Sequence, residues 1–355
     1  MRATRYRPRL PQTLSLDAFD FDLPAERIAQ HPAEPRDTAR LLHVTSTTLA
    51  DRHIPDLTAL LRPGDRMVVN DTRVIPARLR ARRGEARIEI MLNRAESDGR
   101  WHALIRNARR LHAGDTLTIV GAPNLACQVI ERLEGGAAML QFGPGLDAAL
   151  EGAGEIPLPP YITRPDGPTA RDRTDYQAIF AARPGAVAAP TASLHFTPAL
   201  LSALEARGVA RTTVTLHVGA GTFLPIRDDD AHAHTMHAEW GEVTTAAAAE
   251  INATRAAGGR IIAIGTTALR LLESAATPGG ITPFQGLTDI YILPGHRFAS
   301  ADLLLTNFHL PRSTLLLLVS AFAGTERIRA AYAHAIAERY RFYSYGDASL
   351  LERAA

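Results

Sequence analysis

Three histidines and a glutamate lie close together in the stretch DDDAHAHTMHAEW, residues 228–240. The histidines are His232, His234 and His237. Together with Glu239 they are residue types that bind zinc or transfer protons. Spacings of two and three residues put at most two of these histidines on one face of a strand, and the stretch lacks the H-E-x-x-H pattern of helical zinc sites. A metal site, contacts to a substrate or a tRNA, and a solvated loop are therefore all open.

A glycine turn follows a predicted strand in TLHVGAGTFLP, residues 215–225. His217 lies on the strand, and Gly219 and Gly221 would let a ligand approach the backbone closely. The third glycine of a dinucleotide fingerprint is missing, and a proline stands where its helix would begin. The turn indicates a ligand contact without identifying the ligand, and His217 alone is equally typical of a buried core histidine.

Strand-to-helix turns provide further candidate residues. AVAAPTASLHFTP, residues 186–198, contains His195; RIIAIGTTALR contains Thr266 and Thr267; TNFHLPRST contains His309. Each turn offers unpaired amides at the positive end of a helix dipole, and a single turn of this kind is often an ordinary capped helix. Because the carboxyl ends of such strands meet at one edge of a sheet, the turns together predict a shared pocket.

Arginines cluster between residues 70 and 112, in VVNDTRVIPARLRARR and LIRNARRLHAGD. An arginine face on strands is often only solvated, but it also suits phosphate contacts that position a nucleic acid. The polar residues of interest here are Asn70, Asp71, Arg73 and Arg78.

Composition excludes several kinds of chemistry. All 39 basic residues are arginine, so a Schiff-base lysine and the lysine of a Walker A loop are excluded. Cys127 is the single cysteine, which excludes an intrachain disulfide and favours a reducing compartment. No apolar run approaches the roughly 18 residues of a membrane span, and the arginine-rich residues 1–13 resemble a flexible basic arm rather than a secretory signal. These features predict a soluble cytoplasmic protein.

The pattern changes twice along the 355 residues. Residues 66–152 read as repeated short strands with polar and apolar alternation, which predicts a small all-β barrel. From residue 153 onward, strands alternate with helices, which predicts a mainly parallel sheet with flanking helices. We therefore predict an α/β domain, residues 1–65 and 153–355, into which the barrel domain is inserted.

Eight stretches, in order, resemble one family, the S-adenosylmethionine:tRNA ribosyltransferase-isomerases of queuosine biosynthesis. They are FDFDLPAERIAQHPAEPRDTARLL, VVNDTRVIPARL, GEIPLPPYI, YQAIFAARPGAVAAPTASLHFT, VTLHVGAGTF, HTMHAE, TNFHLPRSTLLLLVSAFAG and YRFYSYGDASLL. The resemblance covers about Leu16 to Leu351. It departs from the family pattern at Ser193, Ala268 and Ser349, where the family usually has Gly, Ser and Met.

The resemblance implies a reaction and its partners. The ribosyl unit of S-adenosylmethionine would be transferred to 7-aminomethyl-7-deazaguanine at the wobble position of a tRNA with a GUN anticodon. Epoxyqueuosine-tRNA would form, with release of adenine and methionine. The resemblance implies the same fold as the pattern, an α/β domain with an inserted barrel, and no metal or further cofactor. Nothing in the sequence demands more than a monomer.

This chemistry needs a general base and donors for developing charge, and without lysine the base must be His, Asp, Glu or Tyr. Histidine titrates near neutrality, so the candidates for proton transfer are His195, His217, His237 and Glu239. The candidate S-adenosylmethionine pocket consists of Thr191, Ser193, Gly219, Gly221, Thr222, Thr266 and Thr267. Substrate or tRNA contacts are assigned to Asn70, Asp71, Arg73, Arg78, Asn307, His309 and Arg312. The rival interpretations are a metal-dependent hydrolase built on residues 228–240 and a non-catalytic RNA-binding module.

Overall fold

The computed structural model describes residues 13–96, 98–219, 221, 226 and 229–354. Most of the predicted arm, residues 1–12, and Thr222 of the predicted donor pocket lie outside the described residues. The strands are β1 Arg40–Val44, β2 Leu49–His53, β3 Arg66–Asn70, β4 Thr72–Val74, β5 Arg78–Arg83, β6 Ala86–Ala95, β7 Arg100–Arg106, β8 Thr116–Ile119, β9 Ala126–Arg132, β10 Ala137–Phe142, β11 Arg183–Ala186, β12 Ala210–Leu216, β13 Glu239–Val243, β14 Ile261–Ile264, β15 Ala276–Thr277, β16 Gly280–Ile281, β17 Phe284–Thr288, β18 Leu303–Asn307 and β19 Ala348–Glu352. The α-helices are α1 Leu57–Leu60, α2 Leu146–Ala153, α3 Ala170–Asp175, α4 Pro198–Ala206, α5 Thr245–Ala256, α6 Thr266–Ala275, α7 Thr314–Ala323 and α8 Thr325–Ala337.

The predicted barrel is present and closed, with the strand order β10-β7-β6-β5-β8-β9. Its core follows from the alternation in the sequence: Leu79 and Ala81 of β5 are buried, whereas Arg80 and Arg82 between and after them are exposed. Cys127 points into this core, where burial raises the pKa of its thiol to about 12. The thiol therefore packs as an apolar group and has no thiolate character at neutral pH.

The large sheet has nine strands in the order β17-β13-β12-β3-β14-β18-β19-β1-β2. The expectation of a mainly parallel sheet is not confirmed, because the sheet is mixed. Its centre, β12-β3-β14-β18, is parallel, but four of the eight pairings, β17–β13, β13–β12, β18–β19 and β1–β2, are antiparallel. Alternation of strands and helices predicts parallel pairing only for strands that a crossover helix joins. The strands β1 and β2 are joined by a short hairpin instead, and a hairpin makes its strands antiparallel.

Residues Arg66–Asn70, predicted to open the barrel domain, form β3 at the centre of the nine-stranded sheet. The barrel strands run from Arg78 to Phe142. The run RMVVN is typical of a short apolar strand, whether in the barrel or in the large sheet. Only its pairing with β12 and β14 shows that it belongs to the large sheet.

Hydrophobic clusters cover both faces of the sheet. On β3, Val68 packs with one cluster and its neighbours Met67 and Val69 pack with another, as expected for a strand whose side chains alternate between two covered faces. Thr197 caps α4 and Ser313 caps α7, each through a side-chain oxygen that accepts from a backbone amide of the first turn.

Candidate active site

The carboxyl ends of the central parallel strands open into a cavity of about 220 Å³, named here the hydroxyl cavity. Crossover connections place the ends of parallel strands at one edge of a sheet, so turns that are distant in sequence meet there. Among its lining residues are the hydroxyl-bearing side chains that give the cavity its name: Tyr161, Tyr176, Thr191, Thr266, Thr267, Thr306, Ser313, Thr314, Tyr343 and Ser344. The structure thus brings together Thr191, Thr266 and Thr267 of the predicted donor pocket.

The start of helix α6 faces this cavity with unused hydrogen-bonding groups. The helix is capped by Gly265, which has φ 91° and offers no side-chain acceptor, and Thr266 and Thr267 lie in its first turn. The Oγ1 atom of Thr267 is buried and has no hydrogen-bond partner among the described residues. A helix start with open amides and an unsatisfied hydroxyl favours an anionic or polar ligand group.

Two residues that line the hydroxyl cavity have a left-handed backbone without being glycine. Arg312 has φ 52° and Tyr343 has φ 72°. Bulky residues rarely adopt this conformation, and such outliers cluster at ligand sites, where the surrounding structure compensates their cost. Their occurrence at one cavity supports a binding role for it.

His195 does not reach the cavity. It lies on a turn of 3₁₀ helix, Thr191–His195, and its side chain is 4% exposed beneath the cavity wall. Its Nε2 atom lies 3.3 Å from Nδ2 of Asn307, which also donates to the carbonyl of Tyr343. Burial, with Arg341 and Arg36 nearby, lowers the pKa of His195 to about 3. His195 is therefore buried and neutral, with Asn307 beside it, and its role in proton transfer stays a prediction.

Three residues that were predicted to contact ligands, Ser193, Asn307 and His309, are buried as well. Ser193 is fully buried, with no partner for its Oγ atom among the described residues. Asn307 is 2% exposed and packs behind the cavity wall. His309 lines the cavity, but burial lowers its pKa to about 3 and its Nε2 lies 2.9 Å from Oγ1 of Thr306. Of these residues, only His309 borders the cavity.

Arg312 was predicted to hold a carboxylate or a phosphate of a ligand. Its guanidinium instead faces three carboxylates of this chain: Asp17 at 2.6 Å, Asp229 at 3.0 Å and Asp20 at 3.7 Å. These contacts fix the loop between β18 and α7 against the N-terminal segment. Arg312 therefore shapes the cavity through its backbone, while its charge is compensated.

A second cavity, of about 630 Å³, lies between the barrel and the large sheet. It is named here the tryptophan cavity, because Trp101 of β7 and Trp240 of β13 both line it. Its other lining residues include Asn93, Arg94, Glu96, Asp147, Arg183, Gly185, His217, Gly219, His237 and Glu239. Three predicted catalytic residues therefore meet here, and the fourth, His195, does not.

His217 is held rigidly at this cavity. Its Nδ1 atom lies 2.7 Å from the hydroxyl of Thr72, and its ring stacks on Trp240 with centroids 5.3 Å apart and planes at 22°. Gly185 contacts the ring, since a Cβ atom there would come within 2.8 Å of it. Burial, with Arg183 nearby, lowers the pKa of His217 to about 4, so the imidazole is neutral at neutral pH. Nε2 can accept a proton in the tautomer in which Nδ1–H donates to the hydroxyl of Thr72.

Glu239 was predicted as an acid or base, but its carboxylate is committed to the structure. It is 5% exposed, and one oxygen lies 2.5 Å from Nη1 of Arg270, which is also buried. The other oxygen accepts a hydrogen bond of 3.0 Å from the amide of Gly219. A buried ion pair of this kind fixes the backbone at Gly219, which is a positioning role.

His237 is exposed at the rim of the tryptophan cavity. Gly221 packs directly against it, because a Cβ atom on Gly221 would lie 2.5 Å from Cδ2 of His237. Of the remaining histidines of residues 228–240, His234 packs edge-on to Tyr291, and His232 lies within the 3₁₀ turn Ala231–Ala233 that Asp230 caps. No group of three or more His, Cys, Asp or Glu side chains in the described part of the chain is arranged to hold a metal ion.

The predicted tRNA contacts divide into buried and exposed residues. Asn70 is fully buried and its amide bridges β3 and β12 through Leu216, so it cannot contact a tRNA. Asp71 is half-buried, and its Oδ1 atom accepts a hydrogen bond of 2.6 Å from the hydroxyl of Thr215. Burial raises the pKa of its carboxyl group. Arg73 is exposed, and Arg78 lies 3.7 Å from Glu89.

Arg78 also lines a groove on the outer face of the barrel, named here the arginine groove. Its arginines are Arg78, Arg80, Arg82, Arg87, Arg106 and Arg164. Glu155 pairs with Arg80 at 2.7 Å, whereas Arg82 and Arg87 are exposed and pair with no acidic side chain of the described chain. The groove therefore has uncompensated positive charge, as the alternation of arginines predicted.

The sequence did not reveal Trp101, Trp240, Thr72 and Arg183 as site residues. They come from four distant segments, and no local pattern marks them. The scarcity of tryptophan was an available signal, since large aromatic side chains that line a cavity are frequent ligand contacts.

Comparisons with known proteins cover nearly the whole chain. A family model described as "Queuosine biosynthesis protein" matches residues 16–351. A protein of Gluconacetobacter diazotrophicus named S-adenosylmethionine:tRNA ribosyltransferase-isomerase is 63% identical over 341 residues, which cover 95% of this chain and 96% of that protein. A protein of the same name from Acidiphilium cryptum is 59% identical and is matched along 96% of this chain and 100% of its own. The crystal structure of S-adenosylmethionine tRNA ribosyltransferase from Thermotoga maritima is 36% identical with a TM-score of 0.54, covering 94% of this chain and 99% of that one.

Proposed function

Because this chain belongs to the queuosine biosynthesis protein family, we propose that it is an S-adenosylmethionine-dependent tRNA ribosyltransferase-isomerase. It transfers and isomerises the ribosyl unit of S-adenosylmethionine onto 7-aminomethyl-7-deazaguanine at the wobble position of a tRNA with a GUN anticodon. The products are epoxyqueuosine-tRNA, adenine and methionine. The observation that carries the proposal is the identity of 63% to a relative of this name along 95% of the chain.

In this proposal the hydroxyl cavity binds S-adenosylmethionine. The ligand has a carboxylate, two ribose hydroxyls and an adenine, all of which need hydrogen-bond partners. The open amides at Thr266 and Thr267 suit the carboxylate, since the start of a helix attracts negative charge. The hydroxyls of Thr191 and Thr267 suit the polar atoms of the donor.

Proton transfer is assigned to His217, with His237 as a second candidate at the same cavity. The sulfonium of the donor acidifies the neighbouring C5′ hydrogens, and a neutral imidazole accepts a proton there. The pKa of about 4 keeps His217 in this neutral form, and the hydroxyl of Thr72 fixes its ring. Glu239 and Arg270 hold the amide of Gly219 next to it.

The tRNA is bound through the arginine groove and the exposed arginines around it, among them Arg73. Guanidinium groups match phosphate oxygens and fix the position of an RNA without reading its sequence. S-adenosylmethionine is consumed as a co-substrate, and no metal or further cofactor takes part in the proposal. The protein acts as a monomer in the cytoplasm, where tRNA is modified. No helix of the described chain is both long and apolar enough to cross a bilayer.

A direct test is incubation of the purified protein with S-adenosylmethionine and a tRNA that carries the aminomethyl-deazaguanine base. Nucleoside mass analysis is expected to show epoxyqueuosine, with one adenine released for each product. The same assay after chelation, together with metal analysis of the protein, examines the rival hydrolase. Absence of both products would overturn the proposal, and a stoichiometric metal required for turnover would favour the rival.

A further inference from the structure

The only two tryptophans of the chain, Trp101 and Trp240, both line the tryptophan cavity. One belongs to the barrel and the other to the large sheet, so the cavity exists only because the two parts meet. We propose that this cavity receives the base of the acceptor nucleotide, extruded from the RNA: a guanine-type heterocycle that carries an aminomethyl group. The inference rests on the proposed function and adds the site at which the acceptor binds.

The dimensions and the walls of the cavity fit an extruded base. Its volume of about 630 Å³ is of the size that holds small organic ligands, and it is open at the surface. Enzymes that react with a base inside a nucleic acid commonly extrude it and hold it against aromatic side chains. Base stacking on such side chains is strong for every base, because each has a flat π face.

The polar groups select the type of base. Glu96 and Asp147 place carboxylates at the cavity. Arg94 donates to Oε1 of Glu96 at 2.7 Å, no described residue donates to Oε2, and Asp147 is exposed. A guanine-type edge presents two adjacent N–H donors, and a carboxylate accepts both. The aminomethyl group, when protonated, is a cation that also favours carboxylates. An adenine edge presents one donor and one acceptor, which a carboxylate does not match, so the adenine of the donor is the less suitable occupant.

The tryptophan cavity lies next to the hydroxyl cavity. Val218 lines the hydroxyl cavity, whereas its neighbours His217 and Gly219 line the tryptophan cavity. Consecutive residues of the segment 217–219 line different cavities, so this short segment separates the two. An acceptor base in the tryptophan cavity is therefore adjacent to a donor in the hydroxyl cavity, with His217 at the boundary.

Tryptophan fluorescence tests the inference, because both fluorophores line the cavity. The probes are an anticodon stem–loop carrying aminomethyl-deazaguanine at the wobble position, the same stem–loop with uridine there, and S-adenosylmethionine alone. We expect the first to quench the emission, the second to bind with little quenching, and the third to leave the emission unchanged. Equal quenching by both stem–loops, quenching by S-adenosylmethionine alone, or a bound modified stem–loop without quenching would each overturn the base site.

Variants separate the two tryptophans and the carboxylates. Trp101→Phe and Trp240→Phe should each retain part of the quenching. The double variant Glu96→Gln with Asp147→Asn should raise KM for the modified tRNA about tenfold, because charged hydrogen bonds to the base are removed, and should leave binding of S-adenosylmethionine unchanged. Glu131→Gln, an exposed carboxylate on β9 outside the cavity, is the matched control. An unchanged KM in the double variant, or a loss of S-adenosylmethionine binding instead, would contradict the assignment.

Adenine release in the same samples reports the proposed function independently. Release without quenching would overturn the base site and leave the proposed function intact. Quenching without release would overturn the proposed function and leave a base-binding cavity.

Discussion

The hydroxyl cavity and the tryptophan cavity share the segment 217–219 but are built in different ways. The first consists of turns at the ends of parallel strands, with backbone amides, threonine and serine hydroxyls, and the rings of Tyr161, Tyr176 and Tyr343. The second consists of long side chains that the barrel and the large sheet bring together. A small cavity with the start of a helix at its wall offers fixed hydrogen bonds to a polar donor, whereas a larger cavity between two parts, with tryptophans and carboxylates in its walls, suits a base that enters from outside. The difference suggests that each cavity takes one of the two substrates.

The largest expected effect is a loss of turnover when His217, at the boundary between the cavities, is replaced. Replacement of His217 by Gln removes the proposed base, and kcat should fall about 10²- to 10⁴-fold, as is typical of general bases. Binding of both substrates should change little. His112→Gln, an exposed histidine of the barrel, is the matched control. Single-turnover rates with bound tRNA and donor measure the effect, and near-normal turnover by the His217 variant would remove it from the mechanism.

The pH dependence of the wild-type reaction gives the same residue a second test. The pKa of His217 is lowered to about 4, so its neutral form persists well below the pH at which a free histidine becomes protonated. The acid limb of kcat/KM assigned to this residue should therefore lie near pH 4 rather than near pH 6.5. An acid limb near neutrality that disappears in the Gln variant would contradict the low pKa.

A smaller effect is expected inside the hydroxyl cavity. Thr267→Val keeps the shape of the side chain but removes the buried Oγ1 atom that has no partner among the described residues. Loss of one hydrogen bond to the donor should weaken binding of S-adenosylmethionine about tenfold, with tRNA binding unchanged. Thr118→Val, on an exposed position of β8, is the control. Calorimetric titration of each variant with S-adenosylmethionine measures the difference, and unaltered affinity would place the donor elsewhere.

The arginine groove should contribute less, and only through charge. The double variant Arg82→Ala with Arg87→Ala removes two guanidinium groups without acidic partners among the described residues. Affinity for tRNA should fall about tenfold or less. The slope of log K against log salt concentration should become shallower by about one to two, since each phosphate that an arginine no longer neutralises accounts for about 0.7 to 0.9. Arg132→Ala, exposed on β9 outside the groove, is the control. An unchanged salt slope would show that the tRNA binds another face.

The last prediction concerns stability rather than activity. The pKa of His195 is about 3 in the folded chain, below the ordinary value of 6.5, so between these values the unfolded chain binds more protons. The free energy of unfolding therefore falls as the pH falls through this window. His195→Gln should make the decline shallower by up to about 1.4 kcal/mol per pH unit. Urea unfolding at several pH values measures the slope, and a change in the pH profile of turnover instead would return His195 to the reaction.

The two cavities also differ in how well the sequence predicts them. Thr266 and Thr267 begin helix α6 directly after β14, and Thr191 begins a 3₁₀ turn, so a local pattern identified them and βαβ topology predicted that they meet. The barrel was predicted for the same reason, because alternation in β5 and β8 is visible residue by residue.

Features that depend on long-range contacts were not predictable from local patterns. The place of β3 in the large sheet depends on β12 and β14, which follow it by more than a hundred residues. The burial of His195 depends on packing around Asn307, and the commitment of Glu239 depends on Arg270. A histidine or a glutamate near a turn looks the same in sequence whether it faces a ligand or the core.

The central claim is that the donor and the acceptor occupy separate cavities, and paired binding measurements test it most directly. S-adenosylmethionine and the modified anticodon stem–loop are each titrated into Thr267→Val and into Trp101→Phe. We expect a crossed pattern, in which Thr267→Val weakens binding of S-adenosylmethionine only and Trp101→Phe weakens binding of the stem–loop only. Weakening of the same ligand by both variants would contradict it.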